Sequence, residues 1–176
     1  MKRVFVAAIA GGILCLLPQL AHAETVMLYT QMQLRGDSAE KNVERFVAVE
    51  DGVMTLFFDS GNIIFDTGLP QKTAASDTLA PRPESWAVDA AKEGGARWLL
   101  EIKLVFPQDP YPATVPASIH YKFTKLATGE TISEGDVTPS ISKHDLETKK
   151  PYDLCFALGE EVARDAMKGW QVPSSL

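Results

Sequence analysis

Two Asp-Ser/Thr-Gly tripeptides lie close together in the stretch FFDSGNIIFDTG, which covers residues 57–68. An aspartic protease holds two carboxylates about 3 Å apart, where the pair shares one proton. Asp59 and Asp66 are only seven residues apart, so two symmetric lobes of one chain cannot supply them as that pair. A single-lobe enzyme that dimerises through Asp66 is geometrically possible.

The segment IIFDTG resembles the active-site strand of retroviral-type proteases. This resemblance implies a dimeric aspartic-protease-like hydrolase that uses Asp66, which we keep as the alternative function. Those enzymes usually continue with Ala or Ser after the glycine, whereas this chain continues with Leu69 and Pro70. The segment also resembles the Asp-Thr-Gly strand of metallo-β-lactamase-like hydrolases, but the sequence has no His-x-His-x-Asp-His run for their metals. We therefore expect the first tripeptide to close a helix and the second to close a strand.

Other residue types that carry chemistry are sparse. The sequence has no glycine-rich phosphate loop, no nucleophile elbow and no metal-ligand spacing, so we expect no metal and no cofactor. His120 alternates with apolar residues and should point outward from a strand, whereas His144 lies in a polar connector. Cys155 falls on the apolar stripe of a predicted helix, which indicates a buried thiol. These observations favour a non-enzymatic protein and leave open a site assembled from distant residues.

Glu50 lies on the apolar stripe of another predicted helix, together with Phe46, Val53 and Phe57. A carboxylate in that position pairs with a cation, caps the edge of the stripe or lines a site. The sequence does not distinguish these three roles.

The amino-terminal residues have the three parts of a secretory signal. Lys2 and Arg3 precede an apolar run over residues 4–17, and small residues occupy positions 21 and 23. An uncleaved anchor is the alternative, although the run is shorter than the ~20 residues that a spanning helix needs. We expect a Sec-type signal peptide over residues 1–23, a single periplasmic α/β domain over residues 24–176, and a periplasmic or secreted bacterial protein.

The charge of the chain excludes one class of partner. Without the predicted signal, 15 basic residues face 23 acidic ones, which gives a net charge of −8. Because an acidic chain repels phosphate backbones, we expect no nucleic-acid partner. Cys155 is the only cysteine after the signal, so no internal disulfide can form. No later segment is apolar enough to cross a membrane, and the oligomeric state is left open.

A long helix is the main expectation for the first half of the chain. Asp37 and Glu40 have the spacing of a capping box, and apolar residues then recur at helical spacing up to Gly61. A hairpin is the alternative for residues 38–59, because Gly52 disfavours a helix interior. The helix is favoured, since a strand would place two adjacent phenylalanines on opposite faces.

The other apolar patterns predict a mixed sheet with helices packed on it. In RWLLEIKLVF, four apolar residues alternate with Glu101 and Lys103, which is typical of a strand. Residues 62–66, NIIFD, form a short segment with an apolar centre, which predicts a buried central strand. The fold class is α+β, a single domain with the order β-α-β-α-β-β-β-α and a mixed five-stranded sheet. The expected strands are residues 24–34, 62–66, 97–106, 117–126 and 131–137, and the expected helices are 38–59, 84–91 and 151–169.

Residues 85–137 resemble the periplasmic α/β domain of the TolB amino-terminal region, the curli-secretion lipoprotein family and the penicillin-binding-protein activator. Those proteins run Gly-Ala-Asp-Tyr into a strand and carry a Thr-Gly turn in a later hairpin. The corresponding phrases here are GARW at residues 95–98 and LATGE at residues 126–130. The second phrase is shorter than the family's spacing, and the chain lacks the lipid-bearing cysteine of the two lipoprotein families. The resemblance implies a non-enzymatic module of the bacterial envelope.

The leading functional hypothesis is therefore a non-enzymatic periplasmic binding or envelope-assembly module with an envelope protein as its partner. Two proline-rich loops, residues 69–83 and 107–116, and the exposed face of the sheet are the expected contact surfaces. Trp86 and Tyr111 are the expected aromatic binding residues.

Overall fold

The computed structural model describes residues 23–33, 39–67, 84–106 and 115–170. Their element order confirms the predicted α+β class, with one addition. A short helix, α3, lies in a segment that the sequence analysis assigned to a polar connector. The elements are β1 (Thr25–Gln33), α1 (Ala39–Asp59), β2 (Ile63–Asp66), α2 (Glu84–Glu93), β3 (Trp98–Val105), β4 (Ser118–Lys125), β5 (Glu130–Val137), α3 (Lys143–Thr148) and α4 (Pro151–Met167).

The five strands form one mixed sheet in the order β2-β1-β3-β4-β5. Strand β1 pairs in parallel with both β2 and β3, as the two helical crossovers require. Strands β3, β4 and β5 follow as an antiparallel meander. This pairing confirms the mixed five-stranded sheet expected from the sequence.

The segment left open as helix or hairpin is helical throughout, since α1 continues from Ala39 to Asp59. Gly61 ends the helix with a φ of 82°, and its N–H donates to the Phe58 carbonyl over 2.8 Å. That positive φ favours glycine. The first Asp-Ser-Gly tripeptide therefore closes a helix, as expected. Asp37 of the expected capping box lies outside the described residues.

The main core lies between one face of the sheet and the pair of helices α1 and α4. Alternate side chains of β1, β3 and β4 point into it, including Val26, Leu100 and Ile119. Four aromatic rings of this core pack against one another, with contacting ring centroids 5.2–5.8 Å apart. They come from α1, β3, β4 and the segment after α4, and belong to Phe57, Trp98, Phe123 and Trp170.

Helix α2 packs on the opposite face of the sheet. Ala87 and Ala91 are fully buried there against Met27, Tyr29 and Leu99. Small residues let this short helix lie close to the sheet. No helix within the described ranges is both long and apolar enough to span a membrane.

The position of β2 contradicts one expectation. Residues 62–66 were expected to form a buried central strand, but β2 lies at the edge of the sheet beside β1. Ile63 is 55% exposed, and Ile64 and Phe65 are only partly buried. The expectation was wrong because Ile64 packs into the core beneath α1 and α4 and Phe65 packs beside α2 on the other face, so helices on both faces explain the apolar run. The run carries no signal about a second neighbouring strand.

Candidate functional site

The second face of the sheet carries polar side chains from four strands. They alternate with the core residues of the same strands, so they point away from α1 and α4. His120 points outward from β4, as the sequence predicted, and its side chain is 42% exposed. We call this set the charged face, and it comprises Gln31, Glu101, Lys103, His120, Lys122, Glu134 and Asp136.

The strand register orders the charged face into two rows. In one row Lys122 lies between Glu101 and Glu134, and in the other His120 lies between Lys103 and Asp136. Lys122 is opposite in charge to both of its neighbours and His120 contacts Asp136, so these pairs stabilise the register, whereas Lys103 beside His120 does not add to it. The rows are exposed, and each such pair contributes only about 0.2–1 kcal/mol.

Two carboxylates contact the imidazole of His120. Nδ1 lies 3.2 Å from Oδ1 of Asp136, and Nε2 lies 3.5 Å from Oε1 of Glu134. The ring is therefore held between two strand-borne acids. When a partner binds, the imidazole can exchange these contacts for a carboxylate of the partner. Alternatively, it can keep them while Lys103 and Lys122 bind that carboxylate.

A shallow depression of about 90 Å³ lies on the charged face. Its lining includes Gln31, Glu101, Lys103, His120 and Lys122, with Tyr29 at one end. A site for a cofactor or drug-sized molecule occupies roughly 300–1,000 Å³. The depression therefore fits a single side chain of a partner.

Of the two aromatic residues expected to bind a partner, Trp86 lies beside this face. It is on α2, partly buried, and its ring centroid is 5.9 Å from that of Tyr29. Tyr29 in turn lines the depression. Trp86 therefore borders the charged face through Tyr29. Tyr111 lies outside the described residues, as does nearly all of both proline-rich loops.

The two aspartates of the tripeptides are not brought together within the chain. Asp59 is the last residue of α1 and precedes β2, whereas Asp66 is the last residue of β2. Residues 60–62 and the strand residues 63–65 lie between the two positions, and the strand alone spans about 10 Å at the usual rise. Both side chains are exposed. One chain therefore cannot form an aspartic-protease dyad from them.

Glu50, whose role the sequence left open, is a buried acid. It is 6% exposed, and burial raises its pKa to about 8. The nearby Thr30 hydroxyl lowers the pKa, whereas the carboxylates of Asp66 and Asp51 raise it. Thr30 nevertheless makes no hydrogen bond of standard geometry through Oγ1. The apolar stripe signalled the burial, but only the fold shows that the carboxyl has no cation partner among the described residues.

The remaining candidate groups do not assemble a reactive site in the described part of the chain. Cys155 is fully buried on α4, and burial raises its pKa to about 12, as expected for an inert thiol. His144 lies on α3 and is exposed. Among the described residues, no three His, Cys, Asp or Glu side chains are grouped so as to hold a metal ion.

No protein-family model and no curated protein matches the sequence. Solved structures do match. The PelC dodecamer from Paraburkholderia phytofirmans is 11% identical with a TM-score of 0.49, and the match covers 88% of this chain and 94% of that chain. The lipoprotein GNA1162 from Neisseria meningitidis is 12% identical with a TM-score of 0.43, and the match covers 79% of this chain and 96% of that chain.

TolB, one of the proteins that the sequence resemblance names, is also among the matched structures. TolB from Acinetobacter baumannii is 9% identical with a TM-score of 0.42, and the match covers 84% of this chain and 29% of that chain. These TM-scores lie below 0.5, so the functional proposals rest on the chain's own residues.

Proposed function

We propose that this protein is a non-enzymatic binding or assembly module of the bacterial envelope, and that it binds a protein partner through the charged face. The observation that carries the proposal is the depression on that face. Its volume of about 90 Å³ fits one side chain, and the charged rows around it fit a partner of mixed charge.

The position of α2 supports this role for the face. The buried contacts of α2 are with Met27, Tyr29 and Leu99, toward the amino ends of β1 and β3. Lys103, His120 and Lys122 lie farther along the sheet, where none of the described helices packs on them. A rigid sheet thus presents polar groups at fixed spacings, which lowers the entropy lost when a partner binds.

We further propose that Trp86 contributes an aromatic contact at the border of this face, and that Tyr111, which lies outside the described residues, contributes a second aromatic contact to the partner. Trp86 is partly buried against Tyr29, which holds its ring in place before binding. Aromatic residues held in this way commonly supply much of the binding energy at interfaces. The periplasmic or secreted location is part of the same proposal and rests on the signal-like residues 1–23.

A quantitative capture experiment tests the function. The purified protein is cross-linked to an extract of the producing organism's envelope, and the captured proteins are compared among three forms: the native sequence, the double variant Lys103→Ala/Lys122→Ala, and Lys92→Ala/Lys125→Ala. Both variants remove two positive charges, so they have the same net charge. Only the first pair lies on the charged face.

We expect the charged-face variant to lose a specific partner that the other variant retains. Loss from both variants would mean that the capture follows net charge. Retention by both would show that the charged face is not the binding surface.

A further inference from the structure

A second cavity lies at the opposite end of the sheet from the carboxyl ends of β1 and β2. It has a volume of about 340 Å³, which falls within the usual range for small-molecule sites. The amino ends of β1 and β3, the end of β4 and the last turn of α2 surround it. It shares no lining residue with the depression on the charged face.

Three cations line this cavity, and they come from separate parts of the chain. Lys92 lies in the last turn of α2, Arg97 directly precedes β3, and Lys125 ends β4. Glu24 is the acidic residue of the lining, so the formal charge of the cavity wall is +2. Acidic groups farther than about 8 Å away are largely screened at physiological salt. The lining is therefore net positive although the whole protein is acidic, and the acids beside it are Glu93, next to Lys92 in the chain, and Glu130, opposite Lys125 in the sheet.

Glu24 and Trp98 hold Arg97 in position. The Nη1 group of Arg97 donates to Oε1 of Glu24 over 3.0 Å, while Nε1 of Trp98 donates to Oε2 of Glu24 over 2.9 Å. Glu24 is 4% exposed, so its carboxylate is fixed by both contacts. A guanidinium has five N–H donors, and this pairing uses one of them. Arg97 can therefore donate to a second oxyanion.

The side chain of Arg97 is 67% exposed, whereas its backbone is held by hydrogen bonds on both sides. Its N–H donates to the Thr25 carbonyl over 2.9 Å, and its carbonyl accepts from the Leu126 N–H over 3.0 Å. Gly95, with a φ of 73°, turns the chain from α2 into this position. The guanidinium of Arg97 is thus attached to a backbone position that is hydrogen-bonded to Thr25 on one side and to Leu126 on the other.

The other side of the cavity is apolar and aromatic. Leu126 and Ala96 line it with Trp98, and Nζ of Lys125 lies 5.7 Å from the Trp98 ring centroid. A cation at that distance is attracted to the face of the ring, so Lys125 stays near the cavity. Cations and an apolar wall in one small space suit a ligand with both kinds of group.

We infer that this cavity binds a small organic oxyanion, a phosphate or carboxylate attached to an apolar or aromatic group. The oxyanion contacts Arg97, Lys92 and Lys125, and the apolar group lies against Leu126, Ala96 and the small exposed part of Trp98, which is 5% exposed. Glu24 is a positioning residue, since it acts by orienting Arg97. This site is separate from the charged face and does not depend on the function proposed for it.

Titration with phenyl phosphate, monitored by NMR at the indole N–H of Trp98, tests the inference. Trp98 reports directly because its N–H is bonded to Glu24 beneath the cavity. We expect a saturable shift of that resonance at millimolar or lower concentration, and weaker binding at high salt. Benzoate should also bind, inorganic phosphate should bind more weakly, and benzylamine should not bind.

The two lysine variants then locate the site. Lys92→Ala/Lys125→Ala should weaken phenyl phosphate binding by about tenfold or more, whereas Lys103→Ala/Lys122→Ala should leave it unchanged. Lys92 is exposed, so the single variant Lys92→Gln provides the same comparison if the double variant is unstable. The inference is overturned by equal weakening in both double variants, by the absence of a saturable shift, or by inorganic phosphate or benzylamine binding as tightly as phenyl phosphate.

Discussion

Gly52 of α1 and Gly159 of α4 each lie against the backbone of the other helix. A Cβ on Gly52 would overlap the carbonyl oxygen of Phe156, and one on Gly159 would overlap that of Val49. Neither position has room for a side chain, so the two helices pack backbone to backbone at this crossing. Gly52, which disfavours a helix interior, is thus required in α1 because α4 packs directly against its backbone.

Replacing either glycine by alanine should destabilise the protein. Gly→Ala in an exposed helix usually stabilises by up to ~1 kcal/mol, but here the added methyl forces the helices apart. Overpacking of this kind costs about 1–3 kcal/mol, so we expect the free energy of unfolding to fall. Urea denaturation followed by circular dichroism measures the change.

Ala157→Gly is the control for helix propensity, because Ala157 lies on the exposed side of α4. It should cost up to ~1 kcal/mol without disturbing the crossing. A stabilising effect of Gly52→Ala or Gly159→Ala would mean that α1 and α4 are not in backbone contact at this crossing.

Glu50→Gln should change how stability depends on pH. The pKa of Glu50 is raised from 4.5 to about 8 in the folded protein, so between these values the folded state holds the proton more tightly than the unfolded state. The stabilisation from this proton is complete below the unfolded pKa and is lost as the pH rises through the folded pKa. Glutamine resembles the protonated acid, so the variant should keep its stability at pH 9 while the native protein loses it.

The difference in unfolding free energy between Glu50→Gln and the native protein should grow by up to ~1.4 kcal/mol per pH unit between pH 4.5 and about 8. Urea denaturation at pH 5, 7 and 9 measures it, with Glu161→Gln as a control on the exposed face of α4. If the unfolding free energies of the native protein and of Glu50→Gln changed in parallel with pH, the pKa of Glu50 would not be raised in the folded protein.

Asp66→Asn tests the hydrolase alternative and the electrostatics of Glu50 together. Because Asp59 ends α1 and Asp66 ends β2, the two carboxylates do not form a pair within one chain, and we expect no casein hydrolysis at acidic pH that depends on Asp66. The Asp66 carboxylate raises the pKa of Glu50, so its removal should lower that pKa, and the loss of stability with rising pH should end at a lower pH and be smaller in total. Proteolysis present in the native protein and absent from Asp66→Asn would instead support a dyad formed between two chains.

The thiol of Cys155 should react only when the protein unfolds. It is fully buried, and its pKa is raised to about 12, so almost no thiolate exists at pH 8. In a Cys15→Ser background, a disulfide reagent should label the folded protein slowly and the urea-unfolded protein at once. Rapid labelling of the folded protein would show that the α1–α4 layer opens readily.

Much of the fold was predictable because its elements have strong periodicity. The alternation from Trp98 to Leu104 predicted β3, and the stripe from Phe46 to Phe57 predicted α1, since both patterns are long. Helix α3 was missed because it has six residues and little apolar periodicity. Its signal was local: Ser142 and Asp145 form a capping box, in which the Ser142 hydroxyl accepts from the Asp145 N–H over 3.1 Å.

The candidate sites were predictable only in part. Alternation placed His120 on the outer face, but its partner on β5 depends on a register shift between Phe123 and Thr124 that breaks the simple count. The second cavity gave no sequence signal at all. Its cations are spread from residue 92 to residue 125, and only the order of the strands brings them together.

The contact between α1 and α4 determines when folding can finish. α1 begins at residue 39 and α4 ends at residue 167. A nascent chain that still lacks α4 therefore leaves the apolar side of α1 uncovered. Contacts between such distant parts of a polypeptide form late and slowly. The apolar side of α1 is therefore covered only after α4 has been synthesised and has packed against it.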